Sequence, residues 1–130
     1  MSYAGDLAPA AAWDKLSQGA VLVDVRTEGE WAHIGVPDIS ALGAAPVFIQ
    51  WNLADGSHNA GFAAELAAAV PTEKSLVILC RSGARSVAAA QAATAAGYTA
   101  FNVLEGFEGE PDGFGERTVN GWKNRQLPWK

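Results

Sequence analysis

The chain of 130 residues carries one cysteine, Cys80, at the end of the apolar run Leu76-Val77-Ile78-Leu79. Arg81, Ser82, Gly83, Ala84, Arg85 and Ser86 follow it directly, and an alanine-rich stretch follows them. Between Lys74 and Glu105 these two arginines are the only charged side chains. A strand that empties through a tight loop into a helix start gathers unpaired backbone N–H groups at the positive end of the helix dipole, which makes an anion site. A thiol placed in such a site ionises more readily and becomes a nucleophile.

Four kinds of chemistry compete for Cys80. A buried packing cysteine is common for this residue type, but packing alone does not explain arginine, serine and glycine crowded immediately behind it. A cysteine phosphatase or arsenate reductase places its arginine after five intervening residues. Here Arg85 comes after four, Ser86 holds the expected position, and Asp55 is the one candidate left for an aspartic general acid. Sulfur transfer requires a thiolate that attacks the outer sulfur of a donor, N–H donors around the resulting persulfide, and cationic groups to hold an anionic donor. It requires no general acid, metal or cofactor, and the loop contains what it does require. The partners would be a small anionic sulfur donor such as thiosulfate and a thiol, cyanide or protein acceptor. A fourth possibility is a non-enzymatic module that carries or senses persulfide.

The elements that must position this loop follow from the pattern. Pro9 opens a helix through Ala12, Trp13 and Leu16, ended by Gly19. Val21 to Val25 reads as a strand covered on both faces. Asp24 interrupts it and Arg26 closes it; a structural pair that braces the cysteine loop suits them better than chemistry, because a carboxylate beside a thiolate opposes its ionisation. Thr27 and Glu30 have capping-box spacing and start a short helix through Trp31. His33 to Pro37 turns the chain, with His33 read as a structural residue, and 37–46 reads as an irregular connection. Val47 to Trp51 is the next strand, 54–59 a polar loop, and Gly61 to Val70 a helix ended by Pro71.

Leu76 to Leu79 is the strand before the cysteine and Val87 to Ala96 the helix after its loop. Gly97 then caps, and Thr99 to Leu104 is a further strand. Short strand–helix–strand connections imply right-handed crossovers and a parallel sheet between helices, an α/β class. Ligands in such sheets sit at the carboxyl ends of the strands, where Cys80 lies. Residues 105–115 read as a glycine-rich, acidic surface loop. A tail of roughly 110–130, containing Trp122 and Trp129, is expected to pack back on a single domain spanning 1–130.

The totals agree with a compact domain: 49% hydrophobic and 18% charged residues, with a net charge of −5 that argues against nucleic acid as a partner. Residues 1–65 hold two basic and eight acidic groups, and 66–130 seven basic and six acidic. A single cysteine excludes an internal disulfide and a multi-cysteine metal site. No apolar run approaches membrane-spanning length and no signal peptide is visible, so a cytoplasmic location with no membrane partner is expected.

Cys80-Arg81-Ser82-Gly83-Ala84-Arg85-Ser86 resembles the active-site loop of single-domain rhodaneses, as does its setting between Leu-Val-Ile-Leu and a helix. The likeness extends to Leu22-Val23-Asp24-Val25-Arg26 with Glu30-Trp31, to Ala96-Gly97-Tyr98 and to Val103-Leu104-Glu105-Gly106, roughly residues 7–109. The resemblance implies a rhodanese-like fold, a mostly parallel five-stranded sheet with helices on both faces. It also implies Cys80 as the sulfur-carrying nucleophile, backbone amides from Arg81 to Ser86 as the cradle, and Asp24 and Arg26 as its buttress. Three segments depart from the family: Ala32-His33-Ile34-Gly35-Val36-Pro37 replaces a Gly-His-Ile-Pro-Gly-Ala turn, 37–59 is longer, and Gly106-Phe107-Glu108-Gly109 replaces a paired glycine with a following tryptophan.

Overall fold

The computed structural model describes residues 3–130. Its five strands are β1 (Gly5–Leu7), β2 (Val21–Asp24), β3 (Val47–Phe48), β4 (Ser75–Leu79) and β5 (Thr99–Val103), and its helices are α1 (Pro9–Ser17), α2 (Glu28–Ile34), α3 (Phe62–Ala69) and α4 (Ala84–Ala95). The strands form one all-parallel sheet in the order β1-β5-β4-β2-β3. The strand that carries Cys80 at its end is therefore the central one.

Strand residues alternate between two cores, as the period of two requires. Val23, Leu76 and Ile78 face Phe62 and Leu66 of α3 and Ala89, Ala90 and Ala93 of α4. Leu22, Val77 and Leu79 face Ala12 and Leu16 of α1 together with Phe107 and Trp122. All four apolar residues of β4 are fully buried, which contributes about 1.5–3 kcal/mol for each side chain. The buried stripe of α4 is Ser86, Ala89, Ala90 and Ala93, small residues at helical spacing that bring the helix close to the sheet.

Several features differ from the sequence reading, among them β3, which ends at Phe48 rather than Trp51, and α2, which runs on to Ile34. β1 was not expected: its residues form no apolar run, and it is held by its pairing with β5, in which Asp6 lies opposite Asn102. The helix after the cysteine begins at Ala84, three residues before Val87, because Gly83 adopts φ +109 and turns the chain straight into it. The stretch after Glu105 is not a surface loop throughout, since Phe107 and Glu108 are buried. The capping box at Thr27 is formed in both directions, Glu30 N donating to Thr27 Oγ1 and Thr27 N to Glu30 Oε1. Trp122 is fully buried, its ring 5.9 Å from that of Trp13, whereas Trp129 is 42% exposed. No helix among the described residues is long and apolar enough to cross a membrane.

Candidate active site

Cys80 follows β4 at the carboxyl end of the sheet and is 1% exposed. Its Sγ accepts a hydrogen bond from Gly83 N at 3.1 Å and lies 3.2 Å from Ser86 Oγ. No side chain caps α4 at Gly83, so the amides of its first turn keep their donor capacity for a ligand. Gly83 is required by two constraints at once. Its φ is positive, and an added Cβ would sit 2.5 Å from Leu104 O.

The backbone of the loop is clamped from behind by the segment that departs from the family pattern. Phe107 N donates to Cys80 O at 2.8 Å, and Glu108 N to Arg81 O at 2.9 Å. Gly106 permits this approach, since a Cβ there would lie 2.6 Å from Arg81 C and 2.7 Å from Cys80 O. The tail supports the clamp in turn: Trp122 N donates to Gly106 O at 2.8 Å and Lys123 N to Phe107 O at 2.9 Å.

Both loop arginines are paired with carboxylates from outside the 75–104 window. Arg85 makes a bidentate pair with Glu30, Nη1 to Oε1 at 2.7 Å and Nη2 to Oε2 at 2.8 Å. Burial pushes the Glu30 carboxyl up, but hydrogen bonds from Arg85 and Thr27 outweigh it, leaving Glu30 below the usual glutamate range. The hydrogen bonds that Arg85 donates to Glu30 raise it above its ordinary value, opposed by burial and aided by the nearby charges of Glu30 and Asp24. Arg81 is held more loosely, by one contact of 3.4 Å from Nε to Glu108 Oε2, with 43% of its side chain exposed.

Asp24 and Arg26 form a fully buried pair behind the loop. Arg26 Nη2 donates to Asp24 Oδ2 at 2.7 Å and to Gly35 O at 2.9 Å, and Nε donates to Asp24 Oδ1 at 3.0 Å. The guanidinium lies 4.3 Å from the centre of the Phe107 ring. The pair thus reaches Cys80 through Phe107, whose N–H holds the Cys80 carbonyl. Among the described residues, Arg26 Nη1 and Glu108 Oε1 are buried polar atoms that lack a hydrogen-bond partner.

The sequence reading did not single out Asn102, Asp6, Phe107 or Glu108 for the site, nor Glu30 beyond its capping role. Asn102 carried a usable signal: it is a polar side chain on the inward-facing register of an apolar strand. Ser86 Oγ donates to Asn102 Oδ1, and Asn102 Nδ2 donates to Asp6 Oδ1 at 3.0 Å.

Residues 5–130 match the family described as the STR4 middle domain. An uncharacterised protein of Rickettsia conorii is 36% identical over 124 residues, covering 92% of this chain and 91% of its own length. The crystal structure of Rv0390 from M. tuberculosis is similar at 51% identity with a TM-score of 0.94, covering 99% of this chain and 98% of that one. A rhodanese-like domain protein from Staphylococcus aureus shares the fold at 23% identity and a TM-score of 0.59, covering 78% of this chain and 86% of its own. The chain belongs to the STR4 middle-domain family and has the rhodanese-like fold.

Proposed function

We propose that the protein is a sulfurtransferase that moves a sulfane sulfur from an anionic donor such as thiosulfate, through a persulfide on Cys80, to a thiol or cyanide. The observation that carries this reading is Cys80 Sγ held by the Gly83 amide at the uncapped N-terminus of α4. Membership of a family with the rhodanese-like fold supports it. The Cys80 thiolate attacks the outer sulfur of thiosulfate, an S–S bond forms to Sγ, and sulfite leaves with the electron pair of the broken bond. An acceptor thiolate then attacks the outer sulfur, takes it as a new persulfide, and returns Cys80 to the thiolate. Amides of the first turn of α4 face charge that develops on the terminal sulfur.

The loosely held Arg81 is the arginine free to turn toward the donor, while Arg85 is fixed by Glu30. Pairing of both arginines with carboxylates also favours a second reading, a carrier whose acceptor is a protein and which turns over small anions slowly. Steady-state turnover of thiosulfate with cyanide, read as thiocyanate, tests the first reading. Cys80-dependent thiocyanate supports it; persulfide formation with negligible thiocyanate supports the carrier; hydrolysis of an aryl phosphate in place of both would count against sulfur transfer.

A further inference from the structure

A line of polar groups runs from Cys80 out to the first strand. Ser86 is fully buried and Asn102 is 2% exposed. Ser86 Oγ lies 3.2 Å from Cys80 Sγ and 3.2 Å from Gly83 O, and it donates to Asn102 Oδ1. Asn102 Nδ2 donates to Asp6 Oδ1 at 3.0 Å, which also accepts from Tyr3 OH at 2.7 Å. The register of β1 on β5 sets Asp6 directly opposite Asn102.

Counting protons along this line orients the Asn102 amide. The Asp6 carboxylate only accepts, so the amide of Asn102 must turn its NH2 toward Asp6 and its oxygen toward Ser86. Ser86 has a single proton and meets three acceptors: Asn102 Oδ1, Gly83 O and the cysteine sulfur. With that proton given to Asn102, Ser86 offers Cys80 only lone pairs. These suit a thiol, which can donate its S–H to them, and oppose a sulfur anion. For Ser86 to turn its proton to an anionic sulfur, Asn102 Oδ1 must lose its donor in a buried position, which is costly.

We propose that Asp6 and Asn102 are positioning residues that direct the Ser86 hydroxyl proton away from Cys80 and so hold the resting cysteine as a thiol. The inference rests on the reading that Cys80 is the reacting group. Hydrogen bonds from Asn102, then from Tyr3, keep Asp6 below the usual aspartate range, against a small opposing effect of burial, so Asp6 remains an acceptor at neutral pH. The other charged groups around Cys80 come from the remaining elements: Arg81 in the loop with Glu108 behind it, Arg85 on α4 with Glu30 of α2, and Asp24 with Arg26 at the end of β2. None of them is altered by changes at Asp6 or Asn102.

The test is a titration of the single cysteine by its ultraviolet thiolate absorbance, with Cys80→Ser as the blank. Asp6→Asn lets the amide of Asn102 flip, and Asn102→Ala removes the competing acceptor. Both should move the midpoint to lower pH, by about half a unit for Asp6→Asn, or roughly threefold more thiolate below the midpoint, and by about one unit for Asn102→Ala. Loss of the Asp6 charge alone would also favour the thiolate, so Asp6→Asn is repeated in a Ser86→Ala background, where its shift should fall by at least about half. Asp6 is exposed, so Asp6→Asn provides a result even if Asn102→Ala does not fold. A midpoint unchanged in folded Asp6→Asn, or a shift equally large without Ser86, overturns the proposal. Intact-mass analysis of the wild type after donor treatment separates this failure from a failure of the sulfurtransferase reading: sulfur gain with an unchanged Asp6→Asn midpoint removes the relay alone.

Discussion

Replacing Asp24 with Asn tests whether the buried pair behind the loop is a brace. Both side chains are fully buried, and among the described residues Asp24 supplies the only carboxylate paired with Arg26, which also meets Gly35 O and the Phe107 ring. Breaking a buried pair from one side leaves an uncompensated charge and costs about 3–5 kcal/mol. Asn keeps one acceptor for Arg26 Nε, which places the loss near the lower end, about 3 kcal/mol. Against the roughly 5–15 kcal/mol stability of a domain, that is a large share. In urea unfolding with a slope of about 2 kcal/mol/M it moves the midpoint by about 1.5 M. The double variant Asp24→Leu with Arg26→Met removes both charges and should be more stable than Asp24→Asn, since neither leaves an unpaired partner. A loss below about 1 kcal/mol in Asp24→Asn, or a double variant less stable than the single one, would refute the argument.

Arg81→Ala should raise the apparent KM for thiosulfate more than Arg85→Ala does, because the Arg85 fork is already engaged by Glu30; equal KM values to wild type in both variants sink the assignment of these arginines to donor binding. Glu30→Gln retains the cap but loses the charge, and at pH 7 should lower stability by about 1 kcal/mol. The Glu30 carboxyl is depressed in the fold, so its contribution is present above the unfolded value and lost as pH falls through the folded one; the gap between wild type and Glu30→Gln should narrow as pH falls below the unfolded glutamate value of about 4.3, and a gap that stays constant on further acidification contradicts the pairing. Gly106→Ala places a Cβ against the carbonyls of Cys80 and Arg81 at φ +67, and should cost about 2 kcal/mol or more and abolish persulfide formation; a stable, fully active variant excludes the clamp.

The order of elements and the seat of the cysteine were legible because β4 is a run of four apolar residues followed by loop chemistry that only a strand-to-helix turn accommodates. Asp24 and Arg26 were legible as a pair for a similar reason, a charge inside a buried strand needing a partner close by. The local electrostatics were not. Arg81 and Arg85 stand alone along the chain, yet Glu108 and Glu30 meet them, the latter 55 residues away, and no window on the sequence contains that contact. β1 has no signature of its own in the sequence, because its three residues, Asp6 among them, are held by their pairing with β5. Phe107 and Glu108 were lost to a composition rule: glycine and acid usually mark solvent, but here Gly106 lets the chain pass directly against the Cys80 carbonyl, which carries its neighbours inside.

The most direct test of the central claim is the intact mass of the protein after incubation with thiosulfate and, separately, with polysulfide. A gain of one sulfur atom in the wild type, absent in Cys80→Ser and removed by cyanide or a thiol, is the result expected of a Cys80 persulfide; an unmodified mass with both donors would contradict it.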